Sequence, residues 1–359
     1  MILTLVIFFL ILGVIVFVHE LGHFYTARKL GIGVEEFGFG FPPRIFGIKK
    51  NGIMYSVNLI PIGGFVKIKG ESGESNDPDS FINQPIWKRA IVLFAGVFMN
   101  FVLACVALGI GFVIGIPTSL DGVSADAKIR DKKIQIIEIY PGSSAEKAGV
   151  KLGDYIISLD GNNFDNSKNA IDYIQNNQDN DIEVLLISEG NNKTVNIKPE
   201  SIDGVTDSKV FGVSLVDVGL VSYPIHKALF YGFKAGINLT IVIVQAFYNF
   251  IAELFHGGGT ENVSGPIGVA VFTKHAIAMG FEYLLNFTAL LSINLAIINI
   301  FPFPALDGGR LLFLLIEKIR RKPNNQKIEA IVHNIGFGLL MLLMVLVTYK
   351  DVLKYIFHK

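Results

Sequence analysis

Four long stretches without a charged side chain constrain this sequence more than any other feature. They cover residues 1–18, 91–116, 283–306 and 330–349. An α-helix needs roughly 20 mostly apolar residues to cross the hydrocarbon core of a membrane. Composition agrees with this length criterion, because charged residues make up only 17% of the chain and hydrophobic residues 51%. The sequence therefore predicts a polytopic α-helical membrane protein with four transmembrane helices.

Several classes of protein are disfavoured by equally simple observations. The first stretch has neither the basic start nor the small-residue cleavage site of a signal peptide. The chain carries 31 basic and 31 acidic residues, so its charge gives no argument for nucleic-acid binding. Cys105 is the single cysteine, which excludes intramolecular disulfides and cysteine-based zinc sites.

A fifth apolar stretch, residues 235–252, has two interpretations. The polar residues on and around it all fall within one third of the circumference of a helix. Such a stripe is typical of an amphipathic helix lying in the membrane interface, and we favour this interpretation. A spanning helix whose polar stripe is buried in the helix bundle is the alternative. The stripe consists of Lys234, Asn238, Gln245, Asn249, Glu253 and His256.

The orientation in the membrane follows from the basic residues of short loops, which remain in the cytoplasm. Four spans place both basic loops on that side, so the segment 117–224 is expected outside the cytoplasm. A fifth span at residues 235–252 would put one of the loops on the wrong side. The loops carry Arg28, Lys29, Arg44, Lys49, Lys50, Lys67, Lys69, Lys88 and Arg89 after the first span, and Lys318, Arg320, Arg321, Lys322 and Lys327 before the fourth.

The end of the first apolar stretch reads His19-Glu20-Leu21-Gly22-His23. Two histidines four residues apart lie on one face of a helix and can bind one Zn²⁺, with the glutamate oriented to take a proton from a zinc-bound water. Ionisable side chains within a membrane are costly and are functional by default. A structural pair of histidines near the interface is the less favoured alternative.

A catalytic zinc needs a third protein ligand, and Asp307 is the candidate. It follows the third apolar stretch in the sequence Asn299-Ile-Phe-Pro302-Phe-Pro304-Ala-Leu-Asp307-Gly-Gly. The two prolines interrupt the helix and free backbone groups that a substrate strand could satisfy. An aspartate that caps the next helix is the alternative, although capping and ligation can coexist. Both parts of the site are expected at the cytoplasmic side of the membrane.

These motifs resemble the site-2 protease family of intramembrane zinc metalloproteases, of the bacterial regulator of sigma-E protease type. HELGH at 19–23 and NIFPFPALDGG at 299–309 are similar to the two signatures of the family. FGFGFP at 37–42 and NLIPIGGFVKIKGE at 58–71 resemble its membrane-associated β-hairpin region, and residues 262–268 resemble the stretch before its third span. One departure is Val97, which follows Gly96 where the family usually has proline and puts the local helix geometry in question.

The resemblance implies one Zn²⁺ per chain and a bacterial cytoplasmic (inner) membrane location, with the zinc near the cytoplasmic face. It assigns Glu20 as the catalytic base. The implied metal ligands are His19, His23 and Asp307, and the residues implied to hold substrate backbone are Asn294, Asn299, Pro302 and Pro304.

Residues 136–164 resemble a PDZ domain of the bacterial protease type, a module that binds a peptide strand or C-terminus on a sheet edge. Later strands are expected at 182–188 and 193–198. The predicted architecture thus combines the helices, the β-hairpin region and one extracytoplasmic PDZ-like α+β domain. Its segments are 1–29 (first span), 30–88 (β-hairpin region), 89–116 (second span), 117–210 (PDZ-like domain), 211–282 (linker and interfacial helix), 283–310 (third span), 311–329 (basic cytoplasmic segment), 330–349 (fourth span) and 350–359 (tail).

The leading functional hypothesis is an intramembrane zinc endopeptidase that cleaves transmembrane segments of single-pass proteins in regulated intramembrane proteolysis. Anti-sigma-factor-like proteins and remnant signal peptides are the expected substrates, embedded in the lipid bilayer. The PDZ-like domain is expected to meet a peptide or a substrate ectodomain. A non-catalytic zinc-containing membrane receptor or scaffold is the alternative, and Glu20 argues against it. A zinc transporter would need more intramembrane His and Asp.

Overall fold

The computed structural model describes residues 2–71, 77–188, 190–202, 206–255 and 265–354. Two compact units can be distinguished, one formed by Met1–Ile110 together with Leu229–Lys359 and the other by Gly111–Ala228. In chain order the elements are α1 (Ile2–Lys29), β1 (Val34–Lys50), β2 (Ile53–Ile68), a 3-10 turn (Phe81–Asn83), α2 (Ile86–Ile114), β3 (Ile116–Ser119), β4 (Lys128–Ile139), α3 (Ser144–Lys147), β5 (Tyr155–Leu159), α4 (Ser167–Asn176), β6 (Ile182–Ser188), β7 (Asn191–Ile197), β8 (Glu200–Ile202), β9 (Thr206–Val210), β10 (Val213–Ser222), α5 (Ile225–Phe255), α6 (Pro266–Met279), α7 (Phe281–Ile300), α8 (Asp307–Arg320) and α9 (Gln326–Val352).

Within the described residues, five helices are long and apolar enough to cross a membrane, namely α1, α2, α5, α7 and α9. Four of them coincide with the predicted spans, and the fifth is the ambiguous stretch. The membrane character expected from the sequence is confirmed, whereas the number of helices that cross stays a prediction.

Helix α5 buries one face and exposes its polar stripe. The buried face packs closely on α2, since a Cβ at Gly232 would lie 2.5 Å from the backbone nitrogen of Gly109 and one at Gly236 would lie 2.5 Å from Cys105 Sγ. The five described stripe residues, from Lys234 to Glu253, are all exposed, and His256 lies outside the described residues. Burial of the stripe within the bundle, the arrangement of the spanning alternative, is therefore not seen in the described part of the chain.

The predicted β-hairpin region is a long antiparallel hairpin of β1 and β2. Asn51 and Gly52 connect its strands with positive φ angles of 51° and 82°, the combination that a type I′ turn requires. The hairpin lies against α1, because a Cβ at Gly63 would come 2.7 Å from Val16. The aromatic ring of Phe24 on α1 stacks on Phe37 of β1 with 4.6 Å between centroids.

A sharp turn joins α7 to α8, and the predicted basic cytoplasmic segment is largely the helix α8. The end of α7 approaches the start of α8 so closely that a Cβ at Gly308 would lie 2.2 Å from the Ile300 carbonyl oxygen. Helix α8 is also joined to α2 by the buried ion pair of Arg89 and Glu317, whose closest atoms are 2.5 Å apart. The Asp307 side chain therefore projects from a well-packed helix start.

The second unit, Gly111–Ala228, is built on a six-stranded antiparallel sheet with the order β3-β10-β4-β5-β6-β7. Its apolar core includes fully buried Leu159, Ile182 and Leu186. Strand β6 has the bounds predicted from the sequence. The unit extends beyond the predicted range 117–210, because β10 lies in the predicted linker and pairs with β3 and β4.

Candidate metal centre

Three predicted ligands from two distant parts of the sequence converge in the first unit. Oδ2 of Asp307 lies 3.0 Å from His19 Nε2 and 3.3 Å from His23 Nε2. The two Nε2 atoms are 3.1 Å apart. A tetrahedral zinc with bonds of about 2.0–2.1 Å separates its ligand atoms by roughly 3.3 Å. The cluster thus has the donor types, and nearly the spacing, that Zn²⁺ requires.

Helix α2 lies directly beneath the two imidazoles and is continuous through Val97. A Cβ at Gly96 would lie 2.5 Å from His23 Nε2 and 2.8 Å from His19 Cε1. Glycine therefore makes room for both rings at this point of the helix. With valine at position 97, where related sequences usually have proline, the helix is regular beside the metal centre.

Each histidine is oriented from behind by a group on α2. His23 Nδ1 lies 2.8 Å from the carbonyl oxygen of Val92, to which it donates when Nε2 binds a metal. His19 Nδ1 lies 3.3 Å from the side-chain amide of Asn100. The Oδ1 atom of Asn100 is buried and finds no hydrogen-bond partner among the described residues. A half-turn of this amide offers Oδ1 to the Nδ1 proton of a metal-bound His19, so the orphaned oxygen fits a metal at Nε2.

The carboxylate of Glu20 is held beside the cluster by the hairpin. Its Oε2 accepts a hydrogen bond of 3.0 Å from the backbone N–H of Val66 on β2. Glu20 follows His19 directly on α1, and it is not one of the three grouped metal-binding side chains. The arrangement leaves a carboxylate next to the ligands that can accept a proton.

Asp307 is the first residue of α8, whose N-cap is Leu306, and no side chain caps this helix. The capping alternative is therefore not observed. The Asp307 carboxylate points at the histidines instead.

The other predicted site residues lie on α7 and in the turn that follows it. Asn294 donates to the carbonyl of Leu290 on its own helix over 3.0 Å. Asn299 lies in the last turn of α7, and Pro302 and Pro304 lie in the turn before Asp307. The structure brings the three predicted metal ligands together, and their roles and the substrate-binding roles of these four residues stay predictions.

Sequence reasoning assigned no role to Asn100, to the Val92 carbonyl or to the Val66 N–H. Asn100 did carry a signal, because an amide in the middle of an apolar span is costly unless it is paired. The two backbone groups have no signal in the sequence, since every residue type except proline offers both.

An HExxH motif on one helix, an aspartate of a second helix beside its histidines and a glutamate outside this group, set among membrane-length helices, define a membrane zinc metalloprotease. The sequence matches peptidase family M50 over residues 7–343. The chain belongs to this family, as the resemblance to site-2 proteases predicted, and Zn²⁺ is its cofactor.

Curated relatives extend over nearly the full chain. Zinc metalloprotease RasP of Geobacillus kaustophilus is 28% identical, with 98% of each chain covered. Regulator of sigma-W protease RasP of Bacillus subtilis is 28% identical and covers 97% of this chain and 98% of its own. A putative zinc metalloprotease of Clostridium perfringens is 35% identical, covering 94% and 95%.

Among solved structures, the PDZ domain of an SdrC-like protein from Listeria monocytogenes aligns with 24% of this chain and 92% of its own, at 24% identity and a TM-score of 0.22.

Proposed function

We propose that this protein is an intramembrane zinc endopeptidase that cleaves transmembrane segments of single-pass proteins. The observation that carries the proposal is the location of the metal centre. His19, Glu20 and His23 lie on α1, an apolar helix of membrane-spanning length. Both histidines are buried, each with 6% exposure. A protease whose metal ligands stand on a spanning helix is suited to peptide bonds in or beside the membrane.

The residues divide the work between metal binding and proton transfer. His19, His23 and Asp307 would hold Zn²⁺, which as a Lewis acid would acidify a water molecule and polarise a carbonyl oxygen. Glu20 acts as general base and later returns the proton to the leaving amine. The Val66 N–H orients the Glu20 carboxylate while leaving one oxygen free of that bond.

The substrate must be extended locally before attack, because a helical peptide bond is shielded and internally hydrogen-bonded. We assign the presentation of substrate backbone to Asn294, Asn299, Pro302 and Pro304. Pro302 is exposed at the end of α7. Because it has no N–H group, it cannot continue the hydrogen-bond pattern of α7, which supports a role in presenting substrate backbone.

A test of this function uses a purified single-pass model substrate reconstituted with the protein, with the cut site mapped by mass spectrometry. We expect cleavage inside the apolar segment. Cleavage should stop when zinc is removed by a chelator and return when Zn²⁺ is added. The control is the same peptide with its apolar segment replaced by a soluble sequence. Cuts confined to the soluble flanks, or cleavage that survives chelation, would contradict the proposal.

We also propose that the protein resides in the bacterial inner membrane with four spans, the zinc near the cytoplasmic face and the unit Gly111–Ala228 outside. The support is the basic loop pattern and the exposed stripe of α5, which then lies in the outer interface. Single cysteines at positions 238, 245 and 249, in a Cys105→Ser background, are expected to react with an impermeant thiol reagent added outside. Labelling from the cytoplasm alone would exclude this topology. The control is the Cys105→Ser protein without an added cysteine, which should not be labelled.

The name of one relative supports the proposed substrate class. This relative is named as a regulator of sigma-W, and we infer that anti-sigma-factor-like single-pass proteins, and remnant signal peptides of the same form, are cleaved here. We also infer that the β-rich unit binds a peptide or a substrate ectodomain, which would add a strand at one edge of its sheet.

A further inference from the structure

The turn before Asp307 has a backbone conformation that is rarely adopted, although the Leu306 N–H closes it locally on the Phe303 carbonyl over 3.2 Å. Residues 301–306 connect α7 to α8 and include two prolines, which lack a backbone donor. Ala305, two residues before Asp307, has a φ angle of +81°. This is the left-handed region, which residues with a side chain adopt rarely and only where the surroundings impose it.

Helix α9 supplies that restraint through two residues one turn apart. The backbone N–H of Ala305 donates to His333 Nδ1 over 2.9 Å. A Cβ at Gly336 would lie 2.4 Å from Pro304 Cβ and 2.6 Å from its carbonyl oxygen. Residues three apart share one face of a helix, so one face of α9 contacts both Pro304 and Ala305.

The acceptor role defines the form of the His333 ring. An Nδ1 atom that accepts a hydrogen bond leaves the proton of the neutral ring on Nε2. His333 lines a cavity of about 270 Å³, together with Arg89, Arg310, Gln326 and Glu329. The ring also lies 5.6 Å from that of Phe313 on α8, so His333 contacts both the turn and the helix that follows it.

We propose that His333 is a positioning residue for the zinc ligand Asp307. It accepts the Ala305 N–H and, with the close approach at Gly336, holds the turn so that the Asp307 carboxylate meets His19 and His23. The proposal rests on the assignment of Asp307 as a metal ligand in the proposed function. His333 itself touches neither the ligands nor the substrate in this role.

The decisive comparison is His333→Asn against His333→Leu, measured as the rate of zinc loss to a chelator from the purified full-length protein. Asparagine carries an oxygen on the same branch of the side chain as Nδ1, whereas leucine has similar size and no acceptor. Loss of a group that orients a metal ligand typically costs about 10–100-fold in metal affinity. We expect His333→Leu to lose zinc about 10-fold faster or more, and His333→Asn to restore most of the difference.

The chain offers matched controls for both contacts. Asn334 is the exposed neighbour on α9 and lines the same cavity, so Asn334→Leu is expected to release zinc at the wild-type rate. Gly336→Ala should accelerate zinc loss, whereas Gly338→Ala should not, because nothing lies within 4 Å of a Cβ at Gly338. Each rate is measured on protein that elutes as a single folded species.

Equal rates for His333→Leu and wild type would overturn the proposal. A His333→Asn variant no better than His333→Leu would also overturn it, because the acceptor would then not be the cause. Both readouts concern zinc retention and need no substrate. A failure of intramembrane cleavage would therefore contradict the proposed function while leaving this inference to be decided separately.

Discussion

Glu20→Gln is expected to keep zinc bound and to lose cleavage. The amide oxygen of glutamine can still accept the Val66 N–H, which now bonds Glu20 Oε2 over 3.0 Å, so the local structure should be preserved. What disappears is the capacity to take a proton. Loss of a general base costs about 10²–10⁴-fold in rate, and turnover of a reconstituted single-pass substrate is the measurement.

The matched control is Glu253→Gln, which makes the same chemical change at an exposed position of α5 and should cleave at the wild-type rate. Zinc content is determined for both variants, so that a loss of metal is not mistaken for a loss of the base. Cleavage at the wild-type rate by Glu20→Gln would remove Glu20 from the mechanism.

Asp307→Ala should bind zinc far more weakly than the wild type. Its carboxylate is the one donor from α8, and it stands within 3.3 Å of both histidine Nε2 atoms. Groups that only orient a ligand are worth about 10–100-fold in metal affinity, so the loss of a ligand should exceed the upper end of that range. Zinc affinity is measured by competition with a chelator of known strength, and His19→Ala and His23→Ala should show losses of similar size.

Asp181→Ala, at an exposed position of the β-rich unit, is the control for the removal of a carboxylate. Thermal unfolding of the metal-free proteins distinguishes ligation from a purely structural role at the start of α8. A variant Asp307→Ala that is less stable but binds zinc as tightly as the wild type would show that the third ligand has been misassigned.

The long apolar helices and the pairing of His19 with His23 could be predicted because their signals are local. A membrane span needs only a contiguous apolar window, and His19 and His23 share a helix face through their spacing alone. The type I′ turn of the hairpin was equally local in origin, since Asn51 and Gly52 accept positive φ at little cost.

Helix α5 shows where local signals stop. Its length and hydropathy are those of a spanning helix, yet its stripe residues are exposed and its glycines face α2. Whether such a helix crosses a membrane depends on what its polar face meets, and this is a property of the surroundings rather than of the segment.

By itself, the sequence determined the class of protein. It also predicted the two histidines, the candidate base and Asp307 as the residues of the site, because costly ionisable groups beside apolar spans imply a function. Only the tertiary structure decided how these groups are held. The supporting groups come from three separate elements. The Val92 carbonyl and the Asn100 amide lie on α2, the Val66 N–H lies on β2, and the His333 ring, which contacts the turn before Asp307, lies on α9. Packing brings them there, and because backbone donors and acceptors occur at nearly every position, no pattern of residues could have singled out the Val92 carbonyl or the Val66 N–H.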